Sequence, residues 1–108
     1  MTTKDFEQVM SKQLDFCRAL LSSKSKEYDL TDDDRLHSFK VAAAVQNCTQ
    51  KQALCGMMCK HTISIYDMVN SNDIFSKEKW IEKITDHINY LLLLRGMIEE
   101  EEQTYEFH

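Results

Sequence analysis

The chain has 108 residues, a formal net charge of −5, no proline and only two glycines. This length fits one domain, and the shortage of turn-forming residues favours an all-α fold. The negative charge argues against broad binding to a nucleic acid duplex. No apolar run approaches the roughly 18 residues of a membrane span, and no signal-peptide pattern opens the chain. We therefore expect a soluble protein of the cytoplasm (the host cytoplasm, if the protein is viral).

The first two predicted helices occupy the N-terminal half of the chain. Between Thr3 and Ser22, apolar residues recur at the spacing of a helix with one buried face: Phe6, Val9, Met10, Leu14, Cys17, Leu20 and Leu21. The stretch SSKSKEYDL, residues 22–30, breaks this periodicity and is predicted to be a connector. Thr31 is predicted to cap and open the second helix, since Asp32–Asp34 behind it favour the positive end of the helix dipole.

The last two predicted helices have clear start signals. Thr49 followed three residues later by Gln52 has the pattern of a capping box, which predicts a third helix from Gln50 to about Val69. Ser76 can cap a fourth helix that runs from Lys77 to about Glu101. Because no internal repeat or linker divides the chain, we predict a single domain over residues 1–108, built as a bundle of four main helices.

The C-terminal helix carries two further signals. Its acidic end places negative charge at the negative end of the helix dipole, so we expect residues 102–108 to fray. Between Ile88 and Ile98 the helix is apolar on nearly every side, which is more than four helices of this size can cover within one subunit. An uncovered apolar patch usually marks an interface, so we expect a homo-oligomer, either a dimer or a tetramer.

The cysteines favour a structural interpretation over a metal site. They are Cys17, Cys48, Cys55 and Cys59. Cys55 and Cys59 share a helix face but lack the CxxC spacing, and His61 points elsewhere on the same helix, so four ligands would not converge on one ion. We interpret all four cysteines as reduced, buried, small hydrophobic residues.

The fourth predicted helix carries one narrow polar line, flanked by Lys83 and Tyr90. The line consists of Glu82, Asp86 and Asn89, at the spacing i, i+4, i+7. The same line continues toward the C-terminus as Leu93 and Met97, and a solvated face would not turn apolar halfway along a helix. This pattern predicts that the polar line opens onto a partly enclosed notch.

The third predicted helix repeats this arrangement, because Lys60, Ser64 and Asp67 form a polar line between two apolar strips. Two mostly buried helices would bury such lines at least cost by turning them toward each other, since buried charges need partners. The alternative is that both lines face water and are supported by pairing within each helix.

A shared notch of this kind would suit a nucleotide. Carboxylates from two helices can hold Mg²⁺, and the candidate ligands are Asp67, Glu82 and Asp86. Lys60 and Lys83 could meet phosphate oxygens directly as point charges, and the remaining polar candidates are Ser64, Asn89 and Tyr90.

Four ring side chains outside the two polar lines are further candidates. Tyr28 and Trp80 could stack on a base, and the alternative for both, favoured for Trp80, is packing at the edge of the bundle. His61 and His87 are weaker candidates for a catalytic role, because a lone helical histidine is more often a packed or surface group.

Four segments resemble a known family. In this order, KSKEYD, HSFKVAA, MCKHTISIYD and KWIEKITDHINYLLLL are similar to small phage and bacterial proteins of the nucleotide-modification-associated and MazG-like all-α nucleotide pyrophosphohydrolase group. The resemblance covers about residues 14–98. It implies an all-α fold that is dimeric or higher, with a Mg²⁺-dependent nucleotide site lined by acidic residues of the central helices.

The match to this family is incomplete at the residues that bind metal. Asp86 matches the acid of the last metal-binding motif, whereas Glu82 lies four residues before it instead of three. The Glu-Glu-x-x-Glu motif of the family is absent, and Lys60, Ser64 and Asp67 occupy the corresponding region. The sequence is therefore compatible with a retained nucleotide pocket that has lost the chemistry.

Three hypotheses of function remain open from the sequence. The first is a protein that binds and sequesters a nucleotide, or a nucleotide signal, without turnover. The second is a Mg²⁺-dependent nucleotide pyrophosphohydrolase, in which the metal activates water. The third is a protein-interaction module without a small ligand, whose acidic surface and Glu99–Glu102 tail meet a basic partner.

Overall fold

The computed structural model describes the backbone of residues 1–28 and 34–106, and the side chains of residues 1–22 and 34–103. Four helices follow one another: α1 (Thr3–Tyr28), α2 (His37–Gln46), α3 (Gln50–Asn70) and α4 (Lys77–Glu106). The described backbone contains no strand, so the predicted all-α class and the four main helices are confirmed. No helix in these ranges is both long and apolar enough to cross a membrane.

The predicted start signals of α3 and α4 are confirmed. The Thr49 hydroxyl accepts the backbone N–H of Gln52 at 3.1 Å, and the Gln52 side chain accepts the N–H of Thr49 at 2.9 Å. At the start of α4, the Ser76 hydroxyl accepts the N–H of Lys79 at 3.1 Å. Each of these bonds pairs an amide of the first turn that has no partner within its helix.

The Thr49 cap leads to a stability prediction. We expect Thr49→Ala to lower the free energy of unfolding by about 1 kcal/mol, because the Gln52 amide loses its acceptor and the capping box is broken. Thr49→Ser keeps the hydroxyl and should restore most of this loss. Urea unfolding of the three proteins would measure it, and equal midpoints for the alanine and serine variants would contradict the role of the cap.

Three predicted helix boundaries are wrong. α1 continues through most of the predicted connector to Tyr28, because this segment lacks proline and glycine, so the end of the apolar pattern does not end the helix. α2 begins only at His37, whereas the sequence predicted that Thr31 would open this helix. α4 runs on to Glu106, past the expected end at Glu101, because glutamate is a strong helix former and outweighs its unfavourable position in the dipole.

The late start of α2 has a local cause at Asp34. Its carboxylate accepts the backbone N–H of Leu36 at 3.0 Å, and its carbonyl oxygen accepts the N–H of His37 at 3.2 Å. An aspartate that bonds the backbone two residues on forms a turn in competition with a helix. Thr31 itself lies outside the described residues.

α3 and α4 form an antiparallel hairpin that is the centre of the fold. Gln50 at the start of α3 contacts Glu100 near the end of α4, and Thr62 in the middle of α3 contacts His87 earlier in α4. The two helices therefore run in opposite directions. α1 packs on α4 and α2 packs on α3. Both flanking helices lie on the same flank of the hairpin, because side chains of all four helices line one cavity there.

The hydrophobic core is small and lies where α2 meets the hairpin. Leu54 of α3 and Met97 of α4 are completely buried, and Leu36 and Phe39 complete the cluster. The half-buried side chains packed against it are Met57, Tyr90, Leu93 and Leu94. Many large apolar side chains remain exposed in all four helices. The chain therefore leaves much of its apolar surface uncovered.

The cysteines only partly match the prediction. All four are free, and Cys17 is buried. Cys48 is half-buried, and Cys55 and Cys59 are exposed, so the interpretation as buried residues is wrong for these two. The reason is that their side of α3 lies on the flank of the hairpin that α1 and α2 leave uncovered.

An ion-pair network holds the start of α2 against the end of α4. The Lys40 ammonium lies 2.7 Å from the Asp34 carboxylate and 2.9 Å from that of Glu100. The hydrogen bond from Lys40 lowers the pKa of Asp34, and the bond to Asp34 raises the pKa of Lys40. This support from Asp34 is present above the ordinary aspartate pKa and is lost as the pH falls through the lowered value.

Candidate functional site

The candidate site is a partly open cavity of about 250 Å³, and residues of all four helices line it. The residues that line it come from α1, from the segment that leads into α2, and from α2, α3 and α4: Leu21, Arg35, Ser38, Phe39, Met57, His61, Asp86, Asn89, Tyr90 and Leu93. The cavity adjoins the hydrophobic core, because Phe39 belongs to the core cluster and Met57, Tyr90 and Leu93 pack against it. Its position is therefore fixed by the packing of the core.

One wall of the cavity is aromatic and aliphatic. The rings of His61 and Tyr90 lie with their centroids 5.0 Å apart and their planes tilted by 41°. Phe39 is buried at 7% exposure, and Leu21 of α1 lines the same space. Walls of this kind, with a few convergent polar groups, are typical of small-molecule sites.

The charged groups of the cavity come from α3, from α4 and from the turn before α2. The Asp86 carboxylate lies 3.9 Å from Nδ1 of His61, and their side chains are 17% and 23% exposed. This distance is too long for a direct hydrogen bond, so the two groups attract each other mainly when the imidazole is protonated. Arg35 is half-buried and adds a permanent positive charge. The site thus presents both an anion and a cation to the cavity.

Asn89 is the most unusual polar group of the site. It is only 6% exposed, and its side-chain carbonyl oxygen is buried without a hydrogen-bond partner among the described residues. Leaving such an acceptor unpaired costs about 1–3 kcal/mol. Because Asn89 lines the cavity, a ligand that donates a hydrogen bond there would remove this cost.

His87 lies outside the cavity on the other flank of the hairpin. Its Nε2 is 2.8 Å from the Thr62 hydroxyl, which also donates to the carbonyl oxygen of Met58 at 3.3 Å. Which of the two groups donates in the 2.8 Å contact depends on the tautomer of the imidazole. This arrangement explains His87 as a packed group that links α3 to α4.

The structure brings together only part of the predicted site. Among the predicted ligand-binding and metal-binding residues, those that line the cavity are Asp86, Asn89 and Tyr90. Lys60 and Asp67 are exposed, Ser64 and Lys83 are half-buried, and none of these four is a cavity residue. The side chain of Tyr28 lies outside the described residues. The two polar lines therefore do not meet, because the rotation of α3 turns His61 toward the cavity and leaves Lys60 in solvent.

Glu82 and Trp80 lie near the start of α4, away from the cavity. Glu82 is exposed and borders a shallow apolar groove between α1 and α4. The Trp80 ring contacts Phe75 edge-on, at a centroid distance of 6.0 Å. Packing at the edge of the bundle accounts for this contact.

The three carboxylates that the sequence offered as Mg²⁺ ligands do not lie together. Of the three, only Asp86 lines the cavity, whereas Asp67 and Glu82 are exposed on their helices. Within the side chains that the structure describes, no three His, Cys, Asp or Glu residues lie together in a way that could hold an ion. No chemical step is therefore assigned to a metal here.

Several residues of the site were not predicted as ligand contacts. Arg35, Ser38 and Phe39 lie on the approach to α2 and in its first turn, and Met57 and His61 lie on α3. Two of these residues, Ser38 and Phe39, lie in the segment HSFKVAA, which is one of the four segments that resemble the family. This segment was the signal from which they could have been predicted. Nothing in the periodicity of the sequence pointed to Arg35, since its place depends on how the start of α2 packs.

Comparisons of the chain with protein-family models, with curated proteins and with solved structures give no match. The cavity and the residues that line it therefore carry the evidence for function.

Proposed function

We propose that the chain is a small MazG-like protein of phage type that binds a nucleotide in this cavity without hydrolysing it, in the cytoplasm. The observation that carries the proposal is Asn89, whose buried and unpartnered carbonyl oxygen lines a partly aromatic cavity. A base can donate a hydrogen bond to that oxygen, either through an exocyclic amino group, as in adenine, cytosine and guanine, or through a ring N–H, as in uracil and thymine.

The size and walls of the cavity suit a base. Its volume of about 250 Å³ lies just below the usual range for sites that enclose a whole drug-sized ligand, about 300–1,000 Å³. Tyr90 and Phe39 offer ring faces, and stacking of a base on an aromatic side chain is worth about 1–3 kcal/mol. A base inside the cavity would leave its phosphate at the edge.

Arg35 is the candidate contact for the phosphate. It lines the cavity and also a neighbouring depression beside Leu36 and Gly96, so it lies at the border between the two. A guanidinium is always charged and can bind two phosphate oxygens at once. In this arrangement Asn89 recognises the base and Arg35 attracts the phosphate.

A binding panel tests the proposal. Nucleoside monophosphates and triphosphates of each base are titrated by calorimetry with and without Mg²⁺, and release of phosphate and pyrophosphate is followed in parallel. We expect nucleotides to bind without turnover. Turnover in Mg²⁺ would support a hydrolase instead, and no binding of any nucleotide would favour an interaction module.

The variant Asn89→Leu tests the role assigned to the amide. It removes the carbonyl oxygen and keeps a similar volume, so we expect nucleotide affinity to fall at least about tenfold, equivalent to about 1.4 kcal/mol. Asn72→Leu, at an exposed position in the turn before α4, is the matched control and should bind as the unmodified chain does. Equal affinity of both variants would contradict recognition through Asn89.

A further inference from the structure

We propose that the cavity selects a nucleotide with a single phosphate group. The start of α2 holds this phosphate, and a cluster of carboxylates beyond Arg35 rejects a longer phosphate chain. This inference rests on the proposed function, since it names the class of nucleotide that the same cavity accepts.

The first turn of α2 has an amide that is open to an anion. Leu36, at the N-cap position, makes no side-chain hydrogen bond, so the amides of this turn depend on backbone acceptors or on a ligand. The N–H of His37 donates to the carbonyl oxygen of Asp34, and the N–H of Phe39 donates to that of Leu36. The N–H of Ser38, between them, has no acceptor among the described residues.

Ser38 and Arg35 complete an anion site at this turn. Both residues line the cavity, and the Ser38 hydroxyl can donate to a phosphate oxygen in addition to the amide. The N-terminus of a helix attracts anions because its unpaired amides and its dipole both favour negative charge. The guanidinium of Arg35 can bind two oxygens of the same phosphate. Together these groups match one phosphate monoester.

Asn89 identifies the same cavity as a ligand site independently of α2. Its side chain is 6% exposed, and its carbonyl oxygen has no hydrogen-bond partner within the described part of the chain. Asn89 and Ser38 line one cavity. A nucleotide can therefore place an N–H of its base at Asn89 and its phosphate at Ser38, and each end of the ligand then pairs a polar group that the protein leaves open.

A phosphate beyond the first would meet carboxylates on the far side of Arg35. Arg35 lines the cavity and also the neighbouring depression. Three carboxylates line that depression, those of Asp34, Glu99 and Glu100, and Arg35 is the only cation among its described lining residues. A second or third phosphate that leaves the cavity here would approach a surface of its own sign.

Two further cations beside the depression are already paired with these carboxylates. The Lys40 ammonium lies 2.7 Å from the carboxylate of Asp34 and 2.9 Å from that of Glu100. The guanidinium of Arg95 pairs with Glu99. A phosphate that bound either cation would leave a carboxylate unpaired beside it, and like charges placed together are unfavourable. Neither cation therefore favours a longer chain.

Titration with ligands of increasing phosphate number tests the selection. For each base, the nucleoside and its mono-, di- and triphosphate are titrated by calorimetry without Mg²⁺. We expect the monophosphate to bind at least about tenfold more tightly than either the nucleoside or the triphosphate. The preference over the triphosphate should shrink as the salt concentration rises, because salt screens the charges of an exposed surface.

Two variants with matched controls separate the anion site from the carboxylate cluster. Arg35→Gln should lower the affinity for the monophosphate to that for the nucleoside, and Arg35→Lys, which keeps the charge, should retain part of it. Arg18→Gln, at an exposed position of α1, should bind as the unmodified chain does. Glu99→Gln should raise the affinity for the triphosphate relative to the monophosphate, whereas Glu78→Gln, exposed at the other end of α4, should not.

The contrary outcomes differ in what they overturn. If the nucleoside and its three phosphates bind equally well, or if the triphosphate binds most tightly to the unmodified chain, the selection is wrong while nucleotide binding stands. If Arg35→Gln and Arg18→Gln bind the monophosphate equally, the anion site is wrong. If no nucleoside and no phosphate binds, the proposed function and this inference fall together.

Discussion

The substitution Leu54→Ala is expected to lower the free energy of unfolding by about 2–5 kcal/mol. Leu54 is completely buried at the centre of a small core, where it packs with Phe39 and Met97. Removing its side chain forfeits the burial of the lost carbons and leaves a cavity between α2, α3 and α4 that the helices can fill only in part. A domain of this size is stable by about 5–15 kcal/mol, so the loss would be a large part of the total.

Chemical unfolding with a matched control measures this effect. Leu92→Ala changes the same side chain at a position on α4 that is 44% exposed, and it should cost less than half as much. Because the core residue Phe39 also lines the cavity, Leu54→Ala should weaken ligand binding as well. Equal losses for the two variants would show that the core is centred elsewhere.

The second large effect is expected for Asp86→Asn, which keeps the shape of the side chain and removes its charge. Asp86 lies in the cavity, and its carboxylate is 3.9 Å from Nδ1 of His61. A carboxylate accepts hydrogen bonds from ribose hydroxyls or base amino groups, and a hydrogen bond to a charged group is worth about 1.5–3 kcal/mol. We expect nucleotide affinity to fall about tenfold or more while the fold survives.

The fold of Asp86→Asn should survive with little loss of stability. The Asp86 carboxylate lies 3.9 Å from Nδ1 of His61, which is too long for a direct hydrogen bond, and both side chains contact solvent. We therefore expect the free energy of unfolding to fall by less than about 1 kcal/mol. Thermal melts of the variant and the unmodified chain would measure the difference.

A control for Asp86→Asn is available on α3. Asp67→Asn makes the same change at an exposed position outside the cavity, and it should alter neither affinity nor the melting temperature. If Asp67→Asn lost as much binding as Asp86→Asn, the result would support the hypothesis that the polar lines of α3 and α4 face each other and share one notch. Unchanged binding in Asp86→Asn would remove Asp86 from the site.

The sequence by itself was sufficient for the features that depend on local interactions. The absence of proline and the helical spacing of apolar residues predicted the all-α class, and the residues around Thr49 and Ser76 predicted where α3 and α4 begin. These signals are reliable because caps and periodicity act within a few residues of the chain. The prediction that the line of Glu82, Asp86 and Asn89 opens onto a partly enclosed notch agrees with the cavity for Asp86 and Asn89, whereas Glu82 is exposed and lies outside the cavity.

The tertiary structure alone decided which side chains meet. Both polar lines were visible in the sequence, but the antiparallel register and rotation of α3 against α4 turn His61 toward Asp86 and leave Lys60 and Asp67 in solvent. The contribution of Arg35 depends on the turn that Asp34 forms before α2. The sequence indicated an uncovered apolar patch on α4, but which flank of the hairpin stays uncovered depends on where α1 and α2 pack. Such contacts join residues far apart in the chain, and local propensity carries no information about them.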